Sequence, residues 1–440
     1  MKVYFYFDNS RKNNVDFSNP EKGNHGIGGT EFMIWSISYY LNLYYDDIEV
    51  TILAPIIENL PIKINKIKCE SIYDAVVIAS DMIADILVLR GTKCEDTKVY
   101  NLIDELKVKT IMWCHNFETY NYLKLASKTN YIKRNICVSK EQYDRLRDHE
   151  IFKKSDYLFN GIDCSLYNSK DIDKRKENIA CYLGAIRPLK GFHKLAEIWH
   201  KVQEKVPGCK LYVIGSGKLY DDNAKLGKYG IAEESYEKTF IKYLLDDNKK
   251  IRDDIEFLGD LAHDKKIEVM SKSKVGILNP IAKDETFCIS AIEFEALGIP
   301  VVAKKTYGLL NTVKNRETGF LIKNDNELIK SIIKLLTDDD LNKTMGKEGI
   351  RYVNSNFDIK RICGEWRSVL YQIKNDEMLI RKEKTENYMC DLKWIREINR
   401  RIKQVKIFRE IPAIVEYPDV IYSNRYYRSV SNIKNKMLGN

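Results

Sequence analysis

Short, continuously apolar runs alternate with amphipathic segments along most of the chain. In the first half the runs are Val3–Phe7, Val50–Ala54, Ala75–Ala79, Ile86–Leu89, Thr110–Cys114, Asn135–Val138 and Tyr157–Phe159. A second series comprises Ile179–Leu183, Lys210–Ile214, Ile255–Leu258, Val275–Leu278, Val301–Ala303 and Phe320–Ile322. Strands with one wet face alternate polar and apolar residues. These runs do not alternate, so both faces of each strand should be covered. Between them apolar residues fall at helical spacing, as in Phe192, Leu195, Ala196, Trp199 and Val202, closed by Pro207-Gly208. Strand–helix alternation implies parallel sheets with helices on both faces. The polar stretch Asn168–Asn178 divides the two series. The expected fold class is therefore α/β, with two doubly wound domains, residues 1–170 and 171–355.

The length of 440 residues suits two domains and an appendage. With 44% apolar and 31% charged residues the chain reads as a soluble globular protein. The ten cysteines form no Cys-x-x-Cys pair, and several sit in strand-like runs. Reduced, buried thiols in a cytoplasmic protein fit this better than disulfides or zinc. The start, Met1 to Phe7, reads as a first strand rather than a signal peptide, and no stretch has the length of a membrane span. The net charge is +9, and residues 381–440 hold 14 Lys/Arg against 7 Asp/Glu. Most of the excess is therefore in the tail, which favours an acidic partner there.

Ligands of doubly wound sheets bind at the carboxyl ends of the strands, so the loops after strands carry the chemistry. After Val275–Leu278 comes Glu285-Thr286-Phe287-Cys288-Ile289, with seven residues between Glu285 and Glu293 and a Gly298-Ile-Pro300-Val-Val exit. Amides of Thr286, Phe287, Cys288 and Ile289 at a helix start would be ready for anionic oxygens. Glu293 can accept from two adjacent hydroxyls, as a ribose offers. Taken alone, the pair also fits surface glutamates on an amphipathic helix. Gly28 and Gly29, in Gly26-Ile-Gly-Gly-Thr-Glu31, let backbone approach a phosphate or sugar closely. A dinucleotide loop would need an acidic residue ending the second strand, where Leu53-Ala54-Pro55 stands instead.

These motifs, in order, resemble glycosyltransferase family 4 over roughly residues 1–375. The hallmark is Glu-x7-Glu followed by Ala-x-x-x-Gly-x-Pro-Val. Asn160-Gly161-Ile162-Asp163, Leu183-Gly184 through Lys190-Gly191, Val213 to Gly217, Phe257-Leu258-Gly259 and Glu317 to Leu321 match further family segments. The resemblance implies the GT-B architecture, with the site in a cleft between the domains. It implies that Glu293 holds the donor ribose, that Glu285 contacts the donor sugar, and that Lys190 neutralises the diphosphate. It places Gly215 and Leu258 beside the nucleotide and His115, at the end of Thr110–Cys114, beside the transferred sugar. A lone histidine is otherwise more often packed than catalytic. The family has Arg directly after the loop glycine; here Ala185 stands there, and Arg187 is the candidate to supply the charge. His25, next to the glycine loop, is a candidate acceptor contact.

The implied reaction is retaining transfer from a nucleotide-sugar, UDP-linked by preference, to a saccharide or lipid-linked acceptor in surface polysaccharide or lipopolysaccharide synthesis. No nucleic acid and no cofactor are expected. No Asp-x-Asp closes a strand, and Asp246-Asp247, Asp253-Asp254 and Asp338–Asp340 read as helix ends and turns, so no metal is expected. Alternatives are a sugar-nucleotide epimerase or a phosphorylase of the same fold, or a non-catalytic scaffold. Asp358–Ile373, within 356–380, should form a helix crossing back to the first domain. The extension 381–440 repeats Leu392, Ile395, Ile398, Ile402 and Val405 at spacings of three and four, opposite a basic face, then continues through Tyr417, Tyr422, Arg425, Tyr426, Tyr427 and Arg428. Packing on the protein's own surface, a dimer contact, or peripheral attachment to an anionic membrane would each use such a helix.

Overall fold

The structure, a computed structural model, describes residues 1–12, 15–24, 26–91, 96–167, 177–218, 224–282, 284–379, 393–408 and 411–416. The first domain is built on β1 (Lys2–Tyr6), β2 (Glu49–Ala54), β3 (Asn65–Lys68), β4 (Ile86–Arg90), β5 (Thr110–Cys114), β6 (Ile132–Cys137) and β7 (Ser155–Tyr157). The second uses β8 (Ile179–Leu183), β9 (Lys210–Ile214), β10 (Ile255–Gly259), β11 (Val275–Leu278), β12 (Val301–Lys304) and β13 (Gly319–Ile322). The sheet orders are β3-β2-β1-β4-β5-β6-β7 and β10-β9-β8-β11-β12-β13. Within both sheets the strand pairs are parallel. Each order reverses beside its first strand, which opens a crevice there at the strands' carboxyl ends.

Helices α1 (Gly29–Tyr44), α2 (Ile72–Asp81), α3 (Thr97–Glu105), α4 (Tyr120–Lys128) and α5 (Lys140–Asp144) belong to the first domain. The second holds α6 (Phe192–Lys205), α7 (Glu234–Phe240), α8 (His263–Ser271), α9 (Ile289–Ala296), α10 (Leu309–Thr312), α11 (Asp325–Thr337) and α12 (Asp339–Asn356). Then follow α13 (Ile359–Lys374) and α14 (Lys393–Ile402).

One strand expectation is corrected. Ala75–Ala79 lies inside α2, not in a strand. The Ser71 side chain caps the helix by accepting from the Asp74 amide, and Ala75, Val76 and Ala79 are buried at helical spacing. A five-residue apolar run fits either structure, and the cap decides it. The strand missed is β3, where Asn65-Lys66-Ile67-Lys68 is half-buried at a sheet edge.

The chain returns to the first domain after α12. Ile162 and Phe357–Ile359 exchange backbone hydrogen bonds, at 2.9 Å into the Phe357 carbonyl and 2.8 Å from the Ile359 amide. Helix α13 then lies against α1. Its Trp366 is fully buried between Phe5 and Trp113, with ring centroids at 6.1 and 4.7 Å. A buried tryptophan of this kind stabilises by about 3–5 kcal/mol relative to alanine. At the helix's exposed edge Arg367 pairs with Asp47, its Nε 3.1 Å from Oδ2, and Lys109 meets Asp376 at 2.8 Å. The eight described cysteines are all free thiols. Among the described residues no helix is long and apolar enough to cross a membrane.

Helix α14 docks on the first domain by its polar face. Asn399 Nδ2 donates to Asp148 at 2.8 Å and to the Pro412 carbonyl at 3.0 Å, and Lys403 Nζ donates to the Asp148 carbonyl at 2.8 Å. Beyond it Ala413 and Val415 are buried in the same apolar cluster as Leu146 and Ile151. Leu392 and the aromatic run from Tyr417 lie outside the described residues, as does His25.

Candidate functional site

The two crevices face each other and form a cleft of about 1120 Å³. His115, Lys190, Glu285, Glu293, Arg187, Gly28, Gly29, Gly215 and the run Thr286, Phe287, Cys288 and Ile289 all line it. Leu258 does not. Asp260 and Leu261, just past β10, do so instead, because Leu258 is itself part of the strand and packs into the apolar core.

Lys190 ends a short 3-10 turn, Pro188–Lys190, before α6. The next residue, Gly191, has φ +73°, and a Cβ there would come within 2.9 Å of the Ile281 backbone nitrogen. Both the backbone conformation and the close approach demand glycine, and Lys190, just before it, lines the cleft. At the end of β9, Gly215 has φ +123°, and a Cβ would lie 2.2 Å from the Gly184 carbonyl. The loops after β8 and β9 are thus held together by bare backbone.

Lys190 Nζ lies 2.7 Å from Glu285 Oε2, which also accepts from Asn279 Nδ2 at 2.9 Å. Burial acts to raise the Glu285 pKa. The Lys190 ammonium, the Asn279 amide and the Cys288 backbone amide together outweigh it and hold the carboxyl below its usual value. Glu285 is therefore an anion that already carries a cation on its inner side.

The loop after Glu285 departs from the expected helix start. Helix α9 begins only at Ile289, with Cys288 at its cap in the left-handed region at φ +68°. The Cys288 amide serves Glu285. The Thr286 hydroxyl donates to the His115 carbonyl at 2.5 Å, across the cleft. Phe287 is buried against Phe159 and Phe357. These three residues build the cleft floor and join the domains, and the first helical amides belong to Ile289 and Ser290. A non-glycine residue in the left-handed region costs about 1–2 kcal/mol.

Glu293, one turn into α9, is buried. Its Oε1 accepts from Lys266 Nζ at 2.6 Å and from Tyr167 Oη at 2.8 Å. Neither partner was anticipated from the sequence. Lys266 has a periodic signal, since His263, Lys266, Val269 and Met270 share the buried face of α8, whereas its neighbour Lys265 pairs with Glu268 at the surface. Asn279 immediately follows β11, which is where the strand-end rule directs attention.

His115 closes β5, with its ring 4.3 Å from that of Trp113. Its Nε2 has no hydrogen-bond partner among the described residues. Burial, helped by the nearby Arg90 charge, holds its pKa well below the ordinary histidine value, so the ring is neutral at neutral pH. An unpaired nitrogen on a neutral ring in a cleft is suited to a hydroxyl of a bound ligand. Arg90 also pairs with Glu31 at 3.1 Å and donates to Asn116 at 3.2 Å, forming the first domain's rim of the cleft. Arg187 stands exposed at the opposite rim, two residues past buried Ala185. Among the described residues no group of three or more His, Cys, Asp or Glu could hold a metal ion.

Behind His115, Glu118 is buried and accepts from Gln142 Nε2 at 3.0 Å. Burial raises its carboxyl to about 7, against partial relief from its own backbone amide, Arg145, Cys137 and Gln142. A raised folded-state pKa means that this group's stabilisation is complete below about pH 4.5 and is lost as pH rises through about 7. Glu118→Gln should therefore increase stability at pH 8 by on the order of 2 kcal/mol, with a much smaller gain at pH 5. Urea unfolding at both pH values measures this, and equal shifts at the two would contradict it.

Residues 168–352 match the family model of glycosyl transferases group 1. Trehalose synthase of Pyrococcus horikoshii is 26% identical over 200 residues, 46% of this chain and 45% of that protein. The capsular polysaccharide biosynthesis glycosyltransferase CapM of Staphylococcus aureus is 28% identical over 190 residues, 43% of this chain and 44% of that protein. The chain spans about half the length of these curated relatives. The crystal structure of Anabaena HepE in complex with UDP superposes with a TM-score of 0.64 at 17% identity, covering 84% of this chain and all of that one. The protein therefore has the GT-B fold, and its second domain carries the sequence signature of the group 1 glycosyl transferases.

Proposed function

We propose that the protein is a glycosyltransferase that moves a hexose-type sugar from a nucleotide-sugar to a saccharide acceptor, free or lipid-linked, with retention of configuration. The observation that carries this reading is the convergence of Lys190, Glu285, Glu293 and neutral His115 from both domains on one cleft. The cleft is large enough for a nucleoside diphosphate and a sugar. The ribose hydroxyls bind Glu293, which Lys266 and Tyr167 hold in place. The diphosphate meets Lys190 and the first amides of α9, where the helix dipole adds to the charge. As the anomeric carbon–oxygen bond breaks, Glu285 faces the positive charge on the sugar ring, and His115 Nε2 holds a sugar hydroxyl. The acceptor oxygen bonds to the anomeric carbon on the same face, and its proton passes to the departing diphosphate oxygen. When diphosphate arrives, Lys190 turns part of its charge from Glu285 to phosphate.

UDP is the favoured nucleotide, a choice supported by the HepE complex. Surface-polysaccharide synthesis, lipopolysaccharide included, is the favoured setting, supported by the similarity to CapM. The deciding experiment incubates the protein with UDP-, GDP- and ADP-sugars and follows nucleotide release. Release from none of them, with no thermal shift, would remove the reading. In the same assay activity should persist in EDTA, since the site offers a cationic cradle in place of Asp-x-Asp. Full inhibition reversed by Mn²⁺ would overturn that expectation.

A further inference from the structure

The extension's helix is turned the unexpected way round. Its polar residues face the protein: Arg396 and Asn399 are buried, and Asn399 and Lys403 are tied to Asp148. Its apolar residues face outward. Ile398 is 48% exposed, Ile402 39%, Val405 54%, and the following Ile407 and Phe408 80% and 45%. A surface helix normally does the reverse, since each exposed apolar side chain forgoes its transfer energy. Ile398 and Ile402 lie one helical turn apart on one face, and Val405 follows in the turn after the helix.

Charge identifies the occupant. From Lys393 to Phe408 there are six basic residues and one acidic, Glu397. Arg401, with 74% of its side chain exposed, stands beside the apolar stripe. Arg396 and Lys403 face the protein, so the exposed charge beside the stripe is that of Arg401, within a segment of basic excess. Such a face complements a bilayer with anionic headgroups, where the stripe enters the acyl boundary and the arginine meets phosphate. The orientation is fixed by the fold rather than by the lipid. Besides the Asp148 contacts, the Ile414 amide donates to Asp148 at 2.6 Å, and His149 pairs with Glu416 at 3.2 Å. The helix is thus docked on the first domain with this face outward.

We infer that α14 and the turn after it are a docking surface for an anionic lipid bilayer, and that the first domain is the part held against it. The inference takes from the transferase reading only its use: a docked first domain places the acceptor side of the cleft near a lipid-linked saccharide.

The test uses the full chain and sedimenting vesicles of phosphatidylcholine, with or without about one third phosphatidylglycerol. Binding at low salt should be about tenfold or more stronger with the anionic lipid and should weaken steeply as NaCl rises. Ile398→Asp with Ile402→Asp should lower binding by about tenfold or more. Arg401→Glu should lower it by about tenfold. These side chains are exposed, so an unchanged melting temperature shows that the variants still fold. Failure of the full chain to sediment with anionic vesicles at low salt overturns the inference, as does undiminished binding by the double variant. A concentration-dependent dimer that the double variant dissolves, without vesicle capture, also overturns it and assigns the face to a second copy. Vesicle capture without nucleotide release supports the docking and removes only the transferase reading.

Discussion

Lys190→Ala is expected to lower turnover about 10³-fold, with the fold intact. Removing a single neutral donor from a site of developing negative charge costs about 10²–10³ in rate. Lys190 is a full charge, so its loss should sit at the upper end of that range. The side chain is partly exposed at the cleft and pairs with Glu285, and Lys190 is not part of the apolar core. The variant has a second signature. Lys190 is the largest influence holding the Glu285 carboxyl low against its burial. Without it that carboxyl should titrate at higher pH, and the acid limb of the pH–rate profile should move up. Arg187→Ala is the control. Arg187 stands exposed on the rim, and its loss should cost far less than that of Lys190. Equal and large losses would mean that Arg187 reaches the phosphates and has taken over the role left open at Ala185. Turnover of Lys190→Ala within about threefold of the parent would instead detach Lys190 from the chemistry.

The parts legible in the sequence were those dictated by one-dimensional pattern. Strands buried on both faces announce themselves as apolar runs, so β5, β8, β9 and β11 fall where the periodicity puts them. Residues just beyond such strands, His115, Lys190 and Glu285, could then be assigned to one end of the sheets without knowing the fold. What pattern could not give is partnership across the chain. Lys266 and Tyr167 reach Glu293 from 27 and 126 residues away. Thr286 meets His115 across 171 residues. The Lys266 pair forms by packing of α8 on α9 within the second domain, whereas the Tyr167 and Thr286 pairs become neighbours only through the apposition of the two domains. The α14 surface was illegible for a different reason. The amphipathic spacing was plain, but which face is buried depends on what lies beneath, and beneath it is Asp148 rather than an apolar groove.

The Glu293 assignment requires a variant that removes charge without collapsing the pocket. Glu293→Ala would leave the Lys266 ammonium buried without its carboxylate, and breaking a buried pair in this way costs about 3–5 kcal/mol of stability. Weak binding by that variant would report on folding as much as on ribose. Glu293→Gln keeps an oxygen for Lys266 and Tyr167 to donate to and retains the side chain's shape. It loses the charge-assisted acceptor that two ribose hydroxyls would share. Affinity for the free nucleoside diphosphate should then fall by about 2–4 kcal/mol, or roughly thirty- to a thousandfold, while the melting temperature falls less than in Glu293→Ala because the amide oxygen still accepts from the buried ammonium. The loss should be specific to the sugar moiety, so inorganic pyrophosphate should bind parent and variant alike, because the phosphate cradle of Lys190 is untouched. Calorimetric titration of both ligands separates the two halves of the site. Unchanged nucleotide affinity would leave Glu293 as the structural partner of Lys266 alone. Pyrophosphate binding lost together with the nucleotide would show that the substitution had disturbed α9, whose first turn is proposed to meet the phosphates.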